Sequence, residues 1–123
     1  MAGKSSASGR LMRMEAQVQR VLAELIAREV KDPRVGPVTI TQVKLAPDLS
    51  YARVLYVPFG GTAADPQLQQ GLVAAAGFLR GEVGRRAGLR HAPRLEFLAD
   101  DSYDRAARLT ALIDAANKPR DDQ

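Results

Sequence analysis

Residues 37–58 hold two strand-length runs separated by one short turn, and this pair limits the architectures open to the chain. Val38, Thr39, Ile40, Thr41 and Val43 form a β-branched run, which suits a pleated surface better than a helix because branching at Cβ restricts χ1. Ala46-Pro47-Asp48-Leu49-Ser50 reads as a turn, and residues 51–58 as a second strand. On that strand Ala52, Val54 and Tyr56 share one face, and Tyr51, Arg53, Leu55 and Val57 the other. So short a connection predicts an antiparallel hairpin. Both faces carry apolar residues, so the pattern alone leaves the buried face open. Residues 93–99 supply a third strand, with Leu95 and Phe97 on one face and Arg94 and Glu96 on the other. A sheet this small cannot bury itself and must be covered by helices.

The remaining segments provide them. From about Arg13 to Lys31, Met14, Val18, Val21, Leu22, Leu25 and Ile26 recur as one helical stripe, which Asp32-Pro33 ends. Asp65-Pro66 is a helix start, an acidic N-cap with proline at the first position. Leu68, Leu72, Ala75 or Ala76, Leu79 and Val83 continue its stripe through Gly77, with an end near Gly88. Glycine costs about 1 kcal/mol against alanine inside a helix, so a kink between two helical segments is expected at Gly77. Phe78 and Phe97 are assigned to the core. Asp101 or Ser102 opens a last helix with Ala106, Leu109, Leu112 and Ile113 as its stripe.

The predicted order is α-β-β-α-kink-α-β-α, an α+β domain whose three-stranded sheet has helices packed on one face. Residues 1–9, rich in Ser, Gly and Ala, read as a flexible arm, 10–117 as the single domain and 118–123 as a polar tail.

Composition narrows the function. The chain of 123 residues has a net charge of +4, divided as +6 over residues 1–99 and −2 over 100–123. A basic body favours an anionic partner. There is no cysteine, which excludes disulfides, thiolate nucleophiles and cysteine-bound metals. No apolar leader or membrane-length segment is visible, so a soluble cytoplasmic protein is expected. His91 stands alone, Asp100, Asp101 and Asp104 fit a helix start better than a metal site, and no phosphate-loop motif occurs. No catalytic residue, metal or cofactor is assigned.

Four stretches carry a family resemblance. They are Arg20-Val21 through Lys31-Asp32-Pro33-Arg34-Val35; Thr39 to Val43 with Asp48-Leu49-Ser50-Tyr51-Ala52-Arg53-Val54; Ala75-Ala76-Gly77-Phe78-Leu79-Arg80 with Leu89-Arg90-His91-Ala92-Pro93; and Leu95 to Ser102. In this order and spacing the chain resembles the ribosome-binding factor A family of bacterial ribosome-assembly proteins. The resemblance implies a type II KH-like fold and binding, as a monomer, to the 30S small subunit and its 16S rRNA during late assembly and rRNA processing. It also implies an Ala-X-Gly helix kink, here Ala75-Ala76-Gly77, where a typical KH module carries the Gly-X-X-Gly loop that clamps nucleotides. A general KH-like RNA- or DNA-binding module is the alternative. Neither reading involves a membrane or a small-molecule substrate.

Arg80, Arg85, Arg86, Arg90 and Arg94 are the first candidates for RNA contact, with only Glu82 among acidic residues between 80 and 94. Guanidinium groups pair bidentately with phosphate oxygens and so position a protein on RNA without reading bases. Arg20, Arg28, Lys31 and Arg34 offer a second basic surface, partly offset by Glu24 and Glu29, and Lys4, Arg10 and Arg13 a loose third. Tyr51 and Tyr56 could stack on bases, but period two sets them on opposite faces.

Overall fold

The hairpin forms as β1 (Val38–Leu45) and β2 (Tyr51–Pro58), paired antiparallel. The computed structural model describes residues 2–59 and 65–117, so most of the expected loop up to Ala64 and the expected tail at 118–123 lie outside the described residues. In the turn, Leu49 donates its N–H to the Ala46 carbonyl at 2.8 Å and adopts a positive φ of 63°. Asp48 Oδ1 accepts from the N–H and hydroxyl of Ser50, which stabilises the reversal and holds the Asp48 carboxyl below its usual range.

β3 (Arg94–Ala99) joins β2 in parallel, giving the sheet order β1-β2-β3. A parallel neighbour requires a crossover, and the helix α2 (Pro66–Arg86) supplies it. The register decides which side of β2 is buried. Ala52, Val54 and Tyr56 face inward with Leu95 and Phe97, while Tyr51, Arg53 and Leu55 face outward beside Arg94, Glu96 and Leu98. In β1 the core residues are Ile40, Val43 and Leu45, a spacing that strict alternation cannot place on one face. A bulge between Ile40 and Gln42 leaves Thr41 unpaired and restores the inward phase. The Thr41 hydroxyl donates to Asp100 Oδ2 at 2.5 Å, tying the bulge to the end of β3.

The inner face is covered by α1 (Ala2–Arg28) and α2. From α1, Val18, Leu22, Leu25 and Ile26 enter the core, and from α2, Leu68, Leu72, Leu79 and Val83. Each fully buried large aliphatic side chain stabilises the fold by roughly 1.5–3 kcal/mol over its exposed state. Glu15 and Gln19, one turn apart on α1, reach the edge strand: Glu15 Oε2 accepts from Leu45 N at 2.8 Å and Gln19 Nε2 donates to Ile40 O at 2.9 Å. These bonds cover part of an edge that would otherwise stay unpaired.

Several expectations meet a different structure. α1 begins at Ala2, inside the stretch read as an arm, and ends at Arg28, ahead of Asp32-Pro33. A helix nucleated on a core-facing stripe propagates into neighbouring residues at little cost. Ala75, Ala76 and Gly77 lie within a single continuous α2 rather than between two separate helices. Asp65 caps α2 as expected, accepting from Gln67 N at 3.0 Å. At the other end Gly88 (φ 68°) donates to Arg85 O and Leu89 to Gly84 O, a Schellman closure. Phe78 is not a core residue, since it is 49% exposed, whereas Phe97 is buried. The last helix, α3 (Ser102–Asn117), carries its expected stripe, but Leu109, Leu112 and Ile113 are exposed. α1 and α2 already cover the face that buries Ala52, Val54 and Tyr56.

Candidate nucleic-acid interface

The segment after α1 runs along α2, and three points of contact order the surface between them. Near the start of α2, a Cβ added at Gly71 would come within 2.6 Å of Val35 Cγ2 and 3.2 Å of Arg34 Cβ, so only glycine lets the segment lie this close. In the middle, Val30, Lys31 and Asp32 form one wall of a groove of about 290 Å³, with Ala74, Ala75 and Phe78 as the other. Toward the end, Arg86 of α2 pairs with Glu29, just beyond α1. The seam thus brings Lys31 and Arg34, from one expected basic surface, alongside Arg86 from the other, while Arg80 is turned toward the loop before β3.

The candidate cations differ in what already holds them. Arg34 makes a two-pronged pair with Asp32, Nε to Oδ1 at 3.0 Å and Nη2 to Oδ2 at 2.6 Å. These bonds hold the Asp32 carboxyl down to about 2. Arg85 and Arg86 share Glu82, and Arg86 also engages Glu29. Glu29 is an opposing charge that sequence reading within residues 80–90 missed, because it is brought in from 57 residues away. Arg80 Nε donates to Ala92 O at 3.1 Å and pins the loop before β3. Arg20, Arg28, Lys31 and Arg90 are exposed and form no ion pair among the described residues. Exposed ion pairs contribute about 0–1 kcal/mol, so the paired arginines can be drawn to a phosphate at small cost.

Arg94 does not join this seam. It lies on the outer face of β3, pairs with Glu96 at 3.0 Å, and sits in register with Tyr51. Lys44 and Arg53 occupy outward positions on the neighbouring strands, with Arg53 6.0 Å from the centre of the Tyr51 ring. Period two puts Tyr51 and Arg53 on one face of β2, but only the structure shows that this face is the outward one. Tyr56 is buried and its hydroxyl bonds Gln69, so it offers no stacking face.

The acidic residues at the start of α3 are engaged locally. Asp100 Oδ1 accepts from Ser102 N at 2.9 Å, and bonds from Ser102 and Thr41 hold its carboxyl below the usual range. Asp101 pairs with Arg105 at 3.1 Å. Among the described residues no group of three or more His, Asp or Glu is placed to hold a metal ion, and no helix is long and apolar enough to cross a membrane.

Known proteins resemble this chain in sequence and in fold. A family model described as ribosome-binding factor A matches residues 10–113. A ribosome-binding factor A from Azoarcus is 46% identical over 107 residues, covering 87% of this chain and 85% of the relative. The crystal structure of ribosome-binding factor A from Thermus thermophilus superposes with a TM-score of 0.64 at 34% identity, over 72% of this chain and 94% of that one. A homology model of the same Thermus factor, fitted into a cryo-electron-microscopy map of a 30S complex, gives a TM-score of 0.58 at 34% identity, over 70% of this chain and 90% of that one.

Proposed function

The chain belongs to the ribosome-binding factor A family, whose members are non-catalytic and act in ribosome assembly, and from that premise we propose that it is a maturation factor that binds the 30S small subunit and its 16S rRNA in late assembly and rRNA processing. The observation that carries the step to the 30S subunit is the Thermus relative fitted into a map of a 30S complex. Within this chain the RNA-facing surface is centred on the seam between α1 and α2, with Arg20, Arg28, Lys31, Arg34, Arg85 and Arg86 contacting phosphates, Arg80 and Arg90 extending it toward the loop before β3, and Arg94 contributing from the sheet side. Gly77 gives α2 a point at which to bend against RNA, and Ala75 and Ala76 keep that approach low. The factor works as a monomer in the cytoplasm. It acts by population shift, since a factor that prefers one rRNA conformation holds the subunit in it until release, and one that binds all conformations equally changes nothing.

Sedimentation of the chain with small subunits over a salt series tests this. Arg20 and Arg28, which form no ion pair among the described residues, lie two turns apart on α1. The variant R20A/R28A is expected to bind more weakly at every salt concentration, with a log–log salt slope shallower by about 1.4–1.8. An unchanged slope, or crosslinks confined to large-subunit RNA, overturns the proposal. Free RNA bound as tightly as subunits returns the general KH-like module.

A further inference from the structure

We propose that Phe78 is a stacking platform for one unpaired RNA nucleotide, which seats its base in the groove between the end of α1 and the middle of α2 and its phosphate beside Lys31. The proposal rests on the RNA-binding reading above and adds a base contact to a surface otherwise built for phosphates.

A single exposed apolar side chain is ordinary on a protein surface. Phe78 differs in its surroundings. Its neighbours one turn away are Ala74, Ala75, Gly81 and Glu82, three of them too small to cover a ring and the fourth engaged by Arg85 and Arg86. A Cβ built on Gly77 or Gly81 meets no atom within 4 Å, so the space beside the phenyl group is open. The ring also borders the groove whose opposite wall is Val30, Lys31 and Asp32.

Charge selects the occupant. The carboxylates nearest Phe78 are all engaged, Glu29 by Arg86, Asp32 by Arg34 and Glu82 by Arg85 and Arg86, which offsets their repulsion toward phosphate. Lys31 is exposed with no ion-pair partner among the described residues, leaving the rim net positive. The volume, about 290 Å³, lies at the small end for ligand pockets and suits one planar ring. A docked protein helix needs several anchors along its length. The described groove presents one aromatic face and one free cation, the pair that a nucleotide matches.

The chain has no tryptophan, so Phe78→Trp introduces a single indole reporter in the full-length protein. Its fluorescence is expected to be quenched by a mixed-sequence single-stranded RNA 12-mer and left unchanged by the same sequence as a duplex. Stacking contributes about 1–3 kcal/mol per base, so F78A is expected to weaken binding to the 12-mer by about 5- to 150-fold. F78L, which keeps apolar bulk but loses the π face, should weaken it nearly as much. Neither should lower the melting temperature or alter the salt slope, whereas K31A should make that slope shallower by about 0.7. Unmoved F78W fluorescence together with wild-type affinity of F78A overturns the proposal. A loss of subunit binding in F78A without RNA quenching of F78W overturns it too, in favour of a protein contact. If the wild-type chain sediments with small subunits while the 12-mer experiments fail, only the stacking site falls. Quenching without subunit binding keeps the site and removes the 30S reading.

Discussion

The buried and exposed positions of α2 use glycine differently. At Gly71 and Gly84 an added Cβ would lie 2.6 Å from Val35 Cγ2 and 2.9 Å from Ala92 Cβ, so those two positions let a chain segment lie against the helix. At Gly77 and Gly81 it would meet nothing within 4 Å. The flanking residues follow the same division, with Leu72, Leu79 and Val83 fully buried and Val73 and Phe78 half-exposed. A glycine inside a helix is thus explained by packing only where something approaches it. Where nothing does, the lost helix propensity is a cost of about 1 kcal/mol with no gain in the folded domain.

The sharpest way to break this comparison is to remove packing from a buried position. Leu79→Ala is expected to destabilise by about 2–5 kcal/mol, measured by urea unfolding, because the site is closed to solvent and the cavity cannot fully collapse. A smaller effect follows from filling a buried glycine. For Gly71→Ala, overpacking of about 1–3 kcal/mol exceeds the ~1 kcal/mol gained in helix propensity, leaving a net loss of up to about 2 kcal/mol. The exposed counterpart should have the opposite sign: Gly77→Ala is expected to stabilise by about 0.5–1 kcal/mol, read as a rise in melting temperature. If G71A and G77A move stability in the same direction by the same amount, the distinction between buried and exposed positions fails. If G77A is more stable but binds small subunits less well, the exposed glycine is kept for function.

The smallest effect concerns the wall facing Phe78. The Asp32 carboxyl titrates at about 2 in the folded chain against an ordinary 3.8, so its contribution is complete above about pH 4 and lost as pH falls toward 2. Stability measured against pH should accordingly fall more gently in D32N than in the parent across that window. Parallel curves would mean that the exposed pair with Arg34 adds nothing.

The candidate site was partly legible. Arginine spacing identified the basic residues, because charge is a property of the side chain and survives any fold. It did not reveal that Glu29 would reach Arg86, or that Arg94 would point away on the outer sheet face, because both depend on how distant segments pack. Phe78 was misread for a related reason. In a helix stripe an aromatic residue one position from Leu79 looks like core, and only the packing of α2 against α1 and the sheet decides which of the two is covered. The α3 stripe shows the same limit, since periodicity makes Leu109, Leu112 and Ile113 share a face without providing a surface to bury it.

The sequence alone determined the local elements: three strands at their observed positions, the Asp65-Pro66 start of α2, and its end at Gly88. Those follow from φ preferences, capping chemistry and hydrophobic period, which act over a few residues. Only the tertiary structure decided the buried face of β2, the Thr41 bulge that brings Ile40 and Val43 to one side, and the groove that joins Lys31 to Phe78. Each of these depends on contacts between segments far apart in the chain, and a pattern read along the chain carries no term for them.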